Sequence, residues 1–189
     1  MTAPVRFGSH AGGVYETETE LRELQTLLDT SLARSTAHLQ SIIAPGERDL
    51  TADQLVRVAT GMCVLVLSTV TAKGEPRVSA VDGHLLHGRW VFGTSPGAAK
   101  ARHLRARPAA SIAHLRGEEL GVFAHGVAET LNPVDGPADP DWPATREYLH
   151  GFYGDTAFDW SDVVYYRLKP SWMTVYAPDA ERLLTQATA

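Results

Sequence analysis

A chain of 189 residues, 44% hydrophobic and 21% charged, has the composition of one globular domain with a sizeable core. Its formal net charge of −5 argues against a generic nucleic-acid binder, whose surface would be basic. The single cysteine, Cys63, cannot form an internal disulfide, which suits a reducing cytoplasm.

The opening residues, MTAPVRFGSHAGG, contain no apolar stretch of the signal-peptide kind, and no apolar run reaches bilayer-spanning length. A cytoplasmic protein without membrane or nucleic-acid partners is expected. Residues 1–15 read as a loose tail. Thr17 and Glu20 then form a T-x-x-E capping box, and Leu21, Leu24, Leu28, Leu32, Leu39 and Ile42 follow at helical spacing. Residues 16–49 are therefore an N-terminal helical extension. Thr51 and Gln54 cap a second helix that ends by Gly61.

From Met62 the texture turns to β. MCVLVLSTV reads as a buried strand, TAKGEP as a turn bent at Gly74, and Arg77 to Val81 as a second strand. A third strand, Arg89 to Thr94, leads into FGTSPGAAKARHLRARPAASI. That stretch predicts a strand end, a turn, a basic helix, a proline stop and a new strand. Ser95 is the expected N-cap and Pro96 the first helical residue, with the helix ending at Arg107 before Pro108. The helix start presents free N–H groups and a positive dipole end beside the Thr94 and Ser95 hydroxyls, with Lys100 one turn in. This is an anion site, with a cofactor phosphate as the natural occupant. Further strands are expected at Ala109 to Leu115 and Val122 to Leu131, the latter bending at Gly126. A proline-rich loop, a helix from Trp142 to Tyr153 and a last strand or strand pair around Pro170 complete the pattern. A mainly β fold follows, a small antiparallel barrel with helical additions over residues 50–180 and a tail over 181–189.

Eight histidines raise the question of metal, but none sits with Cys or carboxylate neighbours at ligand spacing, so no metal site is assigned. His84 and His87 fall in a hairpin on opposite strand faces, and His114 and His125 face each other on neighbouring strands. Either of the latter two is a candidate haem ligand. Cys63 lies in an apolar strand where the thiolate is disfavoured, and G-x-S-x-G, P-loop and G-x-G-x-x-G motifs are absent. No catalytic residue is assigned; reactive chemistry would belong to a bound cofactor.

The run VLVLSTV, KGEPRVSAV, WVFGTSPGAAKARHLRARPAASI and VFAHGVAETL resembles the pyridoxamine 5′-phosphate oxidase-like, FMN-binding split β-barrel superfamily. The resemblance covers about 70 residues, from Gly61 to Leu131. It implies a six-stranded antiparallel Greek-key split barrel and a homodimer with cofactor at the subunit interface. Carried onto this chain, it implies Arg77 at the opening of the second-strand motif, Thr94 and Lys100 at the phosphate, and backbone atoms of Val78, Ser79 and Ala80 at the flavin ring edge. Ser95 and Arg102, beside them in the basic turn, are further cofactor-binding candidates. Asp82, Gly93, Ala99 and Gly121 depart from the oxidase branch, which carries Lys, Tyr, Arg and Gln there. The pattern Ala99, Lys100, Arg102, Leu104, Arg105, Pro108, Ala110, Ser111 and Ile112 is similar to the deazaflavin-using branch. The resemblance thus implies an FMN- or coenzyme F-420-dependent oxidoreductase acting on a small organic substrate, with F-420 slightly ahead. The alternatives are a haem-handling barrel and a non-catalytic flavin-binding dimer module.

Overall fold

The computed structural model describes residues 15–154 and 163–187. The expected N-terminal tail therefore lies, except for Tyr15, outside the described residues, as do residues 155–162.

Helix α1 (Glu18–Ala33) opens with the expected reciprocal box: the Thr17 hydroxyl accepts from the Glu20 N–H, and the Glu20 carboxylate accepts from the Thr17 N–H. The periodicity from Leu21 to Ile42 is not one helix. It breaks after Ala33, and Thr36 caps a separate α2 (Ala37–Ile42). The break is stabilised by Gln40, whose amide donates to the carbonyls of Leu32, Ala33 and Ser35 and so satisfies acceptors orphaned at the end of α1. Helix α3 (Ala52–Val58) carries the Thr51–Gln54 capping box.

The strands are β1 (Cys63–Val70), β2 (Pro76–Leu86), β3 (Arg89–Thr94), β4 (Ala109–Arg116), β5 (Leu120–Thr130) and β6 (Val164–Tyr176). All pair antiparallel in a closed barrel of order β1-β2-β3-β6-β5-β4. Helix α4 (Ala99–Ala106) links β3 to β4, α5 (Trp142–Tyr153) links β5 to β6, and α6 (Ala180–Ala187) follows β6. The protein is thus mainly β, with six strands and six helices among the described residues.

Two elements, β2 and the C-terminal residues, differ from expectation, and a third, β6, decides between two alternatives. β2 runs on to Leu86 rather than ending at Val81, closed by a hairpin in which His87 and Gly88 both have positive φ, 54° and 68°. Such a turn matches the right-handed strand twist. His87 therefore sits in the turn, not on a strand face, and pairs with Glu20 of α1 at 3.0 Å. β6 is one strand through Pro170, the first of the two expected alternatives; His125 and Gly126 of β5 pair with Trp172 and Pro170, so Ser171 of β6 is the extra residue of a bulge. A Cβ at Gly126 would lie 2.1 Å from the Lys169 carbonyl oxygen, so only glycine fits this approach. Residues 181–187, expected as tail, form most of α6, with Leu183 buried.

Period-two alternation puts Cys63, Leu65, Leu67 and Thr69 of β1 inward and Val64 and Val66 outward. The main core joins Leu65, Leu67, Trp90, Phe92, Leu168 and Met173 to residues of α1, α3, α4 and α6. α1 covers the outside of β6, where the Met173 N–H donates to Ser31 Oγ. A second, smaller core under α5 holds Leu86, Val91, Leu131, Leu149 and Tyr165.

Candidate functional site

Pairing between β2 and β3 stops at Gly83 and Phe92. Beyond it β3 continues beside β6 as far as Thr94–Val164, while Pro76–Asp82 of β2 pairs with β1 alone. The barrel is split here. The β2 edge carrying Val78, Ser79 and Ala80 has no strand partner on its β3 side among the described residues, so it offers unpaired backbone N–H and C=O groups. α4 crosses from β3 to β1, with His103 Nδ1 3.0 Å from Thr69 Oγ1 and Arg107 Nε donating to the Val70 carbonyl at 3.1 Å. Ala101 and Leu104 anchor it in the core.

The turn before α4 is built differently from the sequence reading. Ser95 does not cap the helix, and Pro96 is not its first residue. Ser95 opens a turn closed by the Ala98 N–H donating to its carbonyl at 3.0 Å, and α4 starts at Ala99. The N-cap is Ala98, which makes no side-chain cap bond. An alanine there leaves the first-turn N–H groups without a side-chain acceptor, which a serine would have supplied. The helix start is thus open to an external anion. Lys100, at the second helical position, has no side-chain partner among the described residues. Arg102 folds back instead, donating to the Gly97 carbonyl at 2.6 Å.

Thr94, Ser95, Lys100 and Arg102 are therefore gathered around one turn. Arg77 stands apart at the start of β2, in an exposed ion pair with Glu75 at 2.8 Å. Among the described residues no hydrogen bond or ion pair links it to the turn. A pocket of about 430 Å³ adjoins the turn, with Pro96, Asn132, Trp142 and Val164 in its wall. The loop forming its outer side is held by Arg167, which pairs with Glu129 at 3.2 Å, Asp139 at 3.1 Å and Asp141 at 2.7 Å.

Two departures from the oxidase pattern have steric causes. A Cβ at Gly93 would lie 2.8 Å from the Tyr165 ring and 3.0 Å from Val163, and one at Gly121 would lie 3.0 Å from the Phe123 ring. Aromatic rings of this chain occupy both spaces. Asp82 faces outward on the open part of β2; burial raises the Tyr153 and Tyr165 phenols to about 12, with the Asp82 charge adding at Tyr153, and Tyr153 and then Asp82 adding at Tyr165. Both tyrosines remain protonated donors at neutral pH.

Beside them His84, 1% exposed, has Nδ1 3.0 Å from the Tyr148 hydroxyl and Nε2 2.9 Å from the Tyr153 hydroxyl. Burial lowers its pKa to about 4. Residues 64 and 69 positions apart build this cluster, so spacing along the chain does not reveal it. Its only local signal is the aromatic spacing along α5.

His114 and His125 do not face each other. His114 is buried, with Nδ1 3.0 Å from the Val64 carbonyl, whereas His125 is exposed, stacked on Trp172 at 4.7 Å and bonded through Nδ1 to Ser111. Their registers differ: His114 opposes Val122, and His125 opposes Ser111. Cys63 is buried against the Ala59 carbonyl, and burial pushes its thiol up to about 11.

The family model for pyridoxamine 5′-phosphate oxidase matches residues 52–174. The chain belongs to this family. The match runs from α3 through nearly all of β6 and leaves residues 15–51 outside it. Solved structures share the family fold. HutZ, the heme storage protein from Vibrio cholerae, superposes with a TM-score of 0.54 at 21% identity, over 66% of this chain and 92% of that one. A conserved hypothetical protein from Mycobacterium tuberculosis gives 0.53 at 16%, over 71% and 89%. A putative pyridoxamine 5′-phosphate oxidase from Listeria innocua gives 0.52 at 12%, over 65% and 95%. No curated protein sequence matches significantly. Among the described residues no helix of this family member is long and apolar enough to cross a membrane, and no group of three or more His, Cys, Asp or Glu is placed to hold a metal ion.

Proposed function

We propose that the protein is an FMN- or coenzyme F-420-dependent oxidoreductase, with F-420 slightly favoured, acting on a small organic substrate. The observation that carries this reading is the conjunction of an uncapped α4 start bearing an unpartnered Lys100 with the unpaired β2 edge. An anionic phosphate fits the first, and a planar heterocycle with alternating donors and acceptors fits the second. When bound, such a cofactor supplies hydride transfer. In this reading Thr94, Ser95 and Lys100 grip the phosphate, Arg102 stiffens the turn through Gly97, and backbone atoms of Val78, Ser79 and Ala80 orient the ring. Arg77 would reach the phosphate only by leaving Glu75. Tyr153 and Tyr165 narrow the adjoining space and help exclude water. The occupied spaces at Gly93 and Gly121 weigh against pyridoxamine phosphate oxidation itself.

The site would be completed by a second copy of the chain. The outer face of β1, β2, β4 and β5 exposes Val64, Val66, Val78, Leu115, Phe123 and Val127, an apolar surface of the kind that marks an interface. The test is fluorescence titration of the purified protein with FMN, FAD and F-420. Micromolar binding of FMN or F-420 is expected, and no binding to any of the three overturns the reading.

One observation favours a second reading. Nε2 of exposed His125 has no partner among the described residues and could ligate haem iron, whereas buried His114 is committed to Val64. A Soret band that appears on haem addition and disappears in His125→Ala would carry it. The third alternative, a non-catalytic flavin-binding dimer module, would be favoured by cofactor that binds but never turns over.

A further inference from the structure

Residues before the family-matched segment build a pocket that the barrel does not form alone. It measures about 620 Å³ and lies between α1, α2, the loop preceding α3, and β6. Leu28, Leu32, Ile43, Leu50 and Val175 give it an apolar wall. Asp29 and Asp49 also line it, and no basic residue does.

Each carboxylate is oriented by the chain. The Gln25 amide donates to Asp29 at 2.8 Å, and the Gly46 N–H donates to Asp49 at 2.8 Å. Neither carboxylate has a cationic partner among the described residues. On the inner wall Thr174 is 2% exposed, and its hydroxyl has no hydrogen-bond partner among the described residues. Buried hydroxyls are nearly always paired, so this one points to a missing group.

From these observations we propose that the pocket binds a small organic ammonium ion. The apolar body of the ligand packs against Leu28, Leu32 and Ile43. Its charged head lies with Asp29 and Asp49, and its polar atoms or an accompanying water pair with Thr174. The two partly solvated carboxylates disfavour an organic anion, and a neutral apolar guest would gain nothing from them. The site is separate from the split in the barrel and independent of what binds there.

The experiment is calorimetric titration of the full chain with n-octylammonium, n-octanol and n-octanoate, with amide chemical shifts recorded in parallel. Saturable binding of n-octylammonium with shifts at Leu28, Leu32 and Thr174 is expected, with n-octanol much weaker and n-octanoate silent. Asp29→Asn and Asp49→Asn keep acceptors for Gln25 and Gly46, and each should weaken n-octylammonium about fivefold. Leu32→Trp, at a partly exposed position, should fill the pocket and abolish binding. Equal affinity for n-octanol, unchanged affinity in both Asn variants, or no binding at all overturns the proposal.

Discussion

The ring of Tyr165 stands where a side chain at Gly93 would have to go: its Cε1 lies 2.8 Å from the Cβ position, and the two residues are register partners across β3 and β6. The glycine and the tyrosine are one packing unit. Gly93→Ala should therefore cost about 1–3 kcal/mol through overpacking. Tyr165→Ala should largely remove that cost, giving a coupling of about 1 kcal/mol or more in a double-mutant cycle by urea unfolding. Additive effects would show that the ring yields freely.

Lys100 carries its charge without an internal partner, whereas the exposed Arg105 lies further along α4. Lys100→Ala is expected to weaken FMN or F-420 binding by roughly ten- to a hundredfold, the range of a charge-assisted hydrogen bond. Arg105→Ala should weaken it far less. Equal losses in fluorescence titrations would reduce α4 to a diffuse positive patch.

Ala98 occupies an N-cap with extended geometry, φ −65° and ψ 150°, but contributes no acceptor. Ala98→Asp should supply one and add about 1 kcal/mol of stability. The same carboxylate would occupy the anion position, so cofactor affinity should fall as thermal stability rises. A variant that gains both would place the phosphate elsewhere.

His84 links folding to pH. Its pKa is lowered by burial from 6.5 to about 4, so between these values the unfolded chain binds the extra proton. Stability is then complete above pH 6.5 and falls as pH drops toward 4. For this group alone the loss from pH 7.5 to pH 5 is about 2 kcal/mol. Unfolding free energies from urea titrations at the two pH values should differ by that amount in the wild type. The difference should shrink in His84→Gln.

If a second copy covers the outer face of β1, β2, β4 and β5, then Val66→Arg at its centre should yield monomers by light scattering. It should also abolish cofactor binding, with the far-UV spectrum retained, because a buried unpaired charge costs several kcal/mol. A dimer that persists would remove this face from the assembly.

Local chemistry was enough to locate much of this fold. Both T-x-x-E/Q boxes, the strand alternation of β1, the turn at Gly74, the bend at Gly126 and the end of α4 before Pro108 each depend on residues a few positions apart. The strand-turn-helix order of the stretch with Lys100 was legible for the same reason. What escaped depends on contacts between distant segments. Ser95 has the chemistry of a cap, but the Pro96–Gly97 turn delays the helix, which starts instead at Ala99. Pro170 leaves open one strand or two until the bulge at Ser171 beside it is seen. His84 meets Tyr148 and Tyr153 across 64 and 69 residues, and the pocket between Asp29 and Thr174 exists only because α1 lies on β6. Hydrogen-bonding and propensity rules act within a turn or two, whereas burial and close packing are decided only when the barrel closes.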